Sequence, residues 1–207
     1  MGNVGIGGGG RGRGRRDNAG GYVRLEDAES QLSDVGNALW KKLAGDVTDV
    51  DAVKKFVARR QKLLGSGPAL QVESVVRVVN ENALKSFQAS LGFDINPIKA
   101  GNMHFDTLLF HGTSEDSVPN IQAAGRPLVK FSKAGMLGTG IYGAPDPRKS
   151  LQYCSQSKHG KFMFICRYNL SNTQYAGPST HHKNTIFEEF CVANDNHVVV
   201  LWMLKIL

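Results

Sequence analysis

Apolar residues recur along this chain with two different periods, and the change between them divides it. Leu25, Ala28, Leu32, Val35, Ala38 and Leu39 follow one another at steps mostly of three and four. That spacing places side chains on one face of a helix. A second helical stretch carries Val53, Phe56, Val57 and Leu63 on its apolar face, with Thr48 or Asp49 as its N-cap. Gly65, Ser66, Gly67 and Pro68 end it and read as a linker. Beyond residue 69 the apolar positions gather into short runs that predict strands at 70–79, 107–111, 162–170, 189–193 and 198–205. Helical stretches are expected at 82–90, 117–124 and 147–155. Strands interrupted by a few helices predict an α+β fold. The intervals are too irregular for the βαβ alternation of a Rossmann sheet. Gly138 and Gly140 are not followed by a helix with a third glycine, so they form no dinucleotide fingerprint.

Length and composition refine this division. The 207 residues suffice for one domain and an appendage, and 41% apolar content suffices for a core. Three regions are expected: a tail at 1–21, a helical appendage at 22–66 and the main domain at 67–207, the appendage reading as a packing cap on the main domain, with a partner-binding hairpin as the alternative. The tail is almost all Gly and Arg, with little to bury against the entropy of ordering, so it reads as disordered. Its Arg11, Arg13, Arg15 and Arg16 suit phosphates or stacked bases. A net charge of +7 fits an acidic partner such as a dinucleotide or a nucleic acid. Cys154, Cys166 and Cys191 are odd in number and have no CxxC spacing, which argues against a disulfide framework or a metal site. They suit a reducing, intracellular setting, nuclear or cytoplasmic. No apolar run is long enough to span a membrane, and the N-terminus lacks a secretory h-region.

Three short segments carry the chemistry, in a fixed order. Leu108, Leu109 and Phe110 lead into His111, Gly112 and Thr113. Gly138, Thr139, Gly140 and Ile141 lead into Tyr142, Gly143 and Ala144. Glu188 and Glu189 precede Phe190, Cys191 and Val192. Each reads as a strand or strand edge delivering one polar side chain: a His, a Tyr and a Glu. Ser150 follows Tyr142 by eight positions and Tyr153 follows it by eleven. Arg77, Val78, Val79 and Asn80 close the first predicted strand, and residues 112–119 read as a strand-to-helix turn. Taken together, residues from about 70 to 207 resemble the H-Y-E poly(ADP-ribose) polymerases and their diphtheria-toxin-type ADP-ribosyltransferase relatives.

That resemblance implies two packed, mainly antiparallel sheets with a few helices, and NAD as co-substrate with no metal. The activity it implies is a pentosyl transfer that releases nicotinamide and moves ADP-ribose to a protein or nucleic-acid acceptor. As the nicotinamide leaves, positive charge spreads over the ribose, and a carboxylate that stabilises this charge more than the ground state accelerates the step. Glu189 matches the catalytic Glu, whereas Glu188, on the opposite face of a strand, does not. His111 matches the residue that bonds the adenosine-side ribose, and Thr113 is expected beside it. The backbone of Gly112 and the hydroxyl of Ser150 would hold the nicotinamide amide, between the rings of Tyr142 and Tyr153.

Two departures from the family pattern stand out. Gly143 replaces the usual aromatic after the tyrosine, which predicts looser packing behind the pocket. Residues 130–137 form a short lid, which predicts an open site with Lys130 and Lys133 near the pyrophosphate. The pattern Ser117, Val118, Pro119 and Gly125, with a short segment at 172–185, leans toward mono-transfer. The alternatives are a non-catalytic NAD- or nucleic-acid-binding module of the same fold, and an RNA 2′-phosphotransferase, which relies on a different Arg/His set.

Overall fold

The computed structural model describes residues 32–62, 68–92, 106–177 and 187–207. The predicted tail, Leu25, Ala28, Leu63 and the linker at 65–67 lie outside them. Helix α1 (Asp34–Ala44) begins at Ser33, whose Oγ accepts from the Gly36 N–H, and it ends on Gly45 at φ 62°. Helix α2 (Val50–Lys62) is capped by Asp49, whose Oδ1 accepts from the Ala52 N–H at 2.8 Å. Strand β1 (Val72–Arg77) leads to α3 (Glu81–Ser90), capped by Asn80 through the Ala83 N–H at 2.9 Å. The order continues with β2 (Asp106–Thr113) and α4 (Val118–Ala124), which stops at Gly125 with φ 66°. Next come the tiny strands β3 (Ala134–Gly135) and β4 (Gly138–Thr139), then β5 (Ile141–Gly143) and α5 (Pro147–Leu151). Four strands complete the chain: β6 (Lys161–Asn169), β7 (Thr173–Ala176), β8 (Glu189–Val192) and β9 (Val198–Ile206).

The strands form a four-stranded antiparallel sheet in the order β1-β9-β6-β2 and a three-stranded one in the order β5-β8-β7. A short β3–β4 hairpin stands apart from both. A two-way bridge between Phe110 and Ala144 couples the sheets, with bonds of 2.9 and 3.0 Å. The fold is therefore the α+β arrangement of antiparallel sheets expected from the sequence.

Central strands β6 and β9 are buried on both faces, which explains their near-continuous apolar runs. In β6 the alternation is plain. Phe162, Phe164, Cys166 and Tyr168 face the core toward α4 and the smaller sheet, while Met163 and Ile165 face the helical side. On that helical side Trp40, Leu43, Val53, Phe56 and Val57 of α1 and α2 join one core with Leu108, Phe110, Leu201 and Trp202. Trp40 meets Trp202 edge-on at 5.2 Å, and Phe56 lies 5.4 Å from Phe110. The Trp202 Nε1–H donates to the Val47 carbonyl across the seam at 2.8 Å.

Two expectations change in detail. Helix α5 ends at Leu151, not at 155, so Tyr153 sits on the turn that follows. The start of the short segment at 172–185 contains β7, a four-residue edge strand too short to announce itself by pattern.

Candidate active site

The site grows from the open edge of β2. Phe110 turns its N–H and C=O away from β6 and toward Ala144. Backbone groups of alternate residues in a strand point the same way. Those of Gly112 therefore also leave β2 on the open side, into a cavity of about 270 Å3 that Gly112 lines. No other residue fits there. A Cβ at position 112 would lie 1.8 Å from the Ser150 carbonyl oxygen.

Helix α5 is brought against this edge by its cap. The Asp146 Oδ1 accepts from the Arg148 N–H at 2.8 Å, and the carboxylate also pairs with the Arg148 guanidinium at 2.7 Å. Ser150 is buried, and its hydroxyl donates to the Phe110 carbonyl at 2.7 Å. The Tyr153 N–H bonds to the Ser150 carbonyl at 3.0 Å, so both residues address the cavity from one turn.

His111 and Tyr142 are joined directly. The His111 Nδ1 lies 2.7 Å from the Tyr142 carbonyl. A carbonyl can only accept, so Nδ1 carries the proton and Nε2 presents a lone pair. Burial holds the imidazole below its ordinary pKa, with the bond to Tyr142 opposing in part. The Tyr142 hydroxyl accepts from the Leu137 N–H at 2.9 Å and donates to the Gly138 carbonyl at 2.6 Å. The β3–β4 hairpin thus clamps this ring, and Gly135 passes so close that a Cβ there would meet its hydroxyl at 2.7 Å.

Glu189 is only 2% exposed. Its Oε1 accepts from the Tyr153 hydroxyl at 2.9 Å, and its Oε2 lies 3.6 Å from the Lys149 Nζ. Burial and then the Glu189 bond push the Tyr153 phenol well above its ordinary pKa. Glu188 is exposed and accepts instead from the Tyr175 hydroxyl at 2.8 Å.

His111, Gly112, Tyr142, Ser150, Tyr153 and Glu189 therefore line one cavity, joined by Ser132, Lys133, Ala134 and Gly135 of the lid segment. Thr113 is buried opposite Phe162 and is not part of this lining. Lys130 is exposed, with its Nζ 4.9 Å from the Phe131 ring. Gly143 does not loosen the packing. The Tyr168 ring fills the space, 2.6 Å from where a Cβ would stand, and its hydroxyl donates to the Tyr142 carbonyl at 2.9 Å. Sequence reasoning missed Tyr168 and Lys149. Lys149 adjoins Ser150 in the chain, but no spacing rule marks it. Among the described residues, no group of three His, Cys, Asp or Glu is placed to hold a metal ion, and no helix is long and apolar enough to cross a membrane.

Two antiparallel sheets meeting over a cavity of His, two Tyr and Glu make up an ADP-ribosyltransferase type of fold. The chain belongs to the poly(ADP-ribose) polymerase catalytic-domain family, whose sequence model matches residues 49–199, well over half its length. Domains of this family use NAD as substrate. Among solved structures, the chain resembles the PARP domain of Arabidopsis RADICAL-INDUCED CELL DEATH1 at 21% identity, with a TM-score of 0.55. The match covers 76% of this chain and 98% of that one, and it speaks to the fold. No curated protein matches the chain.

Proposed function

We propose that this protein is an NAD-dependent ADP-ribosyltransferase that moves a single ADP-ribose unit to an acceptor and releases nicotinamide. The observation that carries this reading is the convergence of Tyr142, Tyr153, the Gly112 edge and the buried Glu189 on one cavity. At about 270 Å3 it is smaller than the ~300–1,000 Å3 of a site that encloses a drug-sized ligand. It suits the nicotinamide end of NAD, with the remainder lying across the mouth.

In this reading the Gly112 N–H and C=O bind the carboxamide, and the Ser150 oxygen accepts from its N–H while the hydroxyl proton stays on Phe110. Tyr142 and Tyr153 hold the ring between them. The bond from the ribose C1′ to the ring nitrogen breaks with its electron pair leaving on neutral nicotinamide. Glu189 stabilises the charge left on the ribose, and the acceptor then bonds C1′ and gives up its proton to solvent water. Restriction to one unit is supported by the pattern from Ser117 to Gly125 and by the short segment at 172–185.

The test is incubation with NAD labelled in the ADP-ribose part, followed by sizing of the labelled product. Wild type should give single-unit products. Glu189→Gln should lower transfer by ~10²–10³ with benzamide affinity retained, because the carboxylate acts on charge that exists only in the transition state. Glu188→Gln should be mild. A Glu189→Gln protein with wild-type turnover would refute the assignment.

A further inference from the structure

Three large apolar side chains are exposed on the cavity lining or on the lid segment that flanks it: Tyr153 at 49%, Phe131 at 69% and Met136 at 45%. Phe131 immediately precedes, and Met136 immediately follows, the residues 132–135 that form the lid wall. Neither belongs to any of the core clusters, although the neighbouring Leu137 is buried and anchors the hairpin. The same segment, residues 128–140, carries Lys130 and Lys133 and no acidic residue. The lid therefore offers two apolar side chains beside two lysines, in the wall that also carries the carboxylate assigned to catalysis. The acid that approaches the segment is Asp195, whose carboxylate accepts from the Val129 N–H.

We propose that this rim docks the acceptor, and that the acceptor is a protein segment presenting an apolar side chain among acidic residues. The proposal rests on the transferase reading above and names its substrate class. The apolar residue would cover Phe131 and Met136, and the acids would face Lys130 and Lys133. Charge complementarity would steer the encounter, and the apolar contact would hold it. A polynucleotide fits less well. Such a strand is tracked by rows of basic residues interleaved with stacking rings, whereas this segment has two lysines and one ring, Phe131, beside the ringless Met136.

The experiment compares wild type with Phe131→Ser, Met136→Ser and the double variant, using labelled NAD. Four acceptors are offered: water, an acidic peptide with Ser and Cys around a central Leu, the same peptide with Gly for Leu, and a 5′-phosphorylated oligoribonucleotide. Wild type should label the Leu peptide in preference to the Gly peptide. The double variant should lose ~10-fold or more in kcat/KM for the Leu peptide, down to the level of the Gly peptide. NAD hydrolysis should be unchanged in all variants. Equal labelling of both peptides, or transfer confined to water, to the oligoribonucleotide or to the enzyme itself, overturns the docking proposal alone. A wild type that never cleaves NAD overturns the transferase reading and the docking proposal with it.

Discussion

A carboxylate as buried as Glu189 is costly unless its oxygens are satisfied. Here the Tyr153 hydroxyl bonds one oxygen and the Lys149 ammonium, 3.6 Å from the other, offsets the charge, which holds the carboxylate in place without any ligand. Tyr153 thus has two separable parts, a ring for stacking and a hydroxyl for holding Glu189. Tyr153→Phe should keep benzamide affinity and lower turnover by ~10–100-fold, the range for a bond to a charged group. Tyr153→Ala should lose both. Calorimetry with benzamide beside steady-state kinetics separates these effects, and equal loss of affinity in the two variants would remove the positioning role of the hydroxyl. The residue scale also explains Gly143. Its missing side chain reads as a defect in sequence, yet Tyr168, twenty-five positions on, occupies the space.

Helices α1 and α2 read in the sequence as a helical appendage that caps the main domain. Their packing makes them part of the main core, through Trp40 on Trp202 and Phe56 on Phe110. Phe56 thereby supports the residue whose carbonyl receives the Ser150 hydroxyl. Trp40→Ala should cost ~3–5 kcal/mol, read from the denaturant midpoint at constant slope. A chain beginning at residue 67 should fail to fold cooperatively. An unchanged midpoint for Trp40→Ala would make the helices passengers. The period was legible in α2 but not in α1, where Val35 is 68% exposed and Ala38 is exposed, while Trp40, Leu43 and Ala44 take the buried face. In α2 the apolar positions Val53, Phe56 and Val57 are buried, and the Asp49 cap forms. The sequence was illegible where elements are two to four residues long, as in β3, β4 and β7.

At the scale of the whole molecule, stability should depend on pH through two partly buried imidazoles. Burial lowers the pKa values of His111 and His197 below the ordinary 6.5. As pH falls through 6.5 the unfolded chain takes up these protons before the folded one, so stability is complete above that value and declines below it. The thermal midpoint should drop between about pH 7.5 and about pH 5.5, and His111→Gln should flatten the drop. An equally steep profile in the variant would place the titration elsewhere. The Gly/Arg tail acts on the same scale through charge. Deleting residues 1–21 removes four arginines and one aspartate, taking the net charge from +7 to +4. NAD turnover and the melting midpoint should not change. Any affinity for single-stranded RNA should fall and become less salt-dependent, because fewer counterions are released. Binding that is equal across a salt series would leave the tail without that role.

The sequence by itself determined the α+β class, the long strands, the cap and buried face of α2, and the ordered His111, Tyr142 and Glu189. These are local properties: a period, a turn residue, or a motif within a few positions. Tertiary structure alone decided which groups meet. It set Tyr153 on Glu189, placed Lys149 beside the same carboxylate, and locked the His111 tautomer through the Tyr142 carbonyl. It also left Thr113 outside the cavity lining and merged the N-terminal helices into the main core. The reason is physical. Each of these contacts joins different elements, and it exists only once the sheets pack and expel water, so no period or nearby spacing along the chain encodes it.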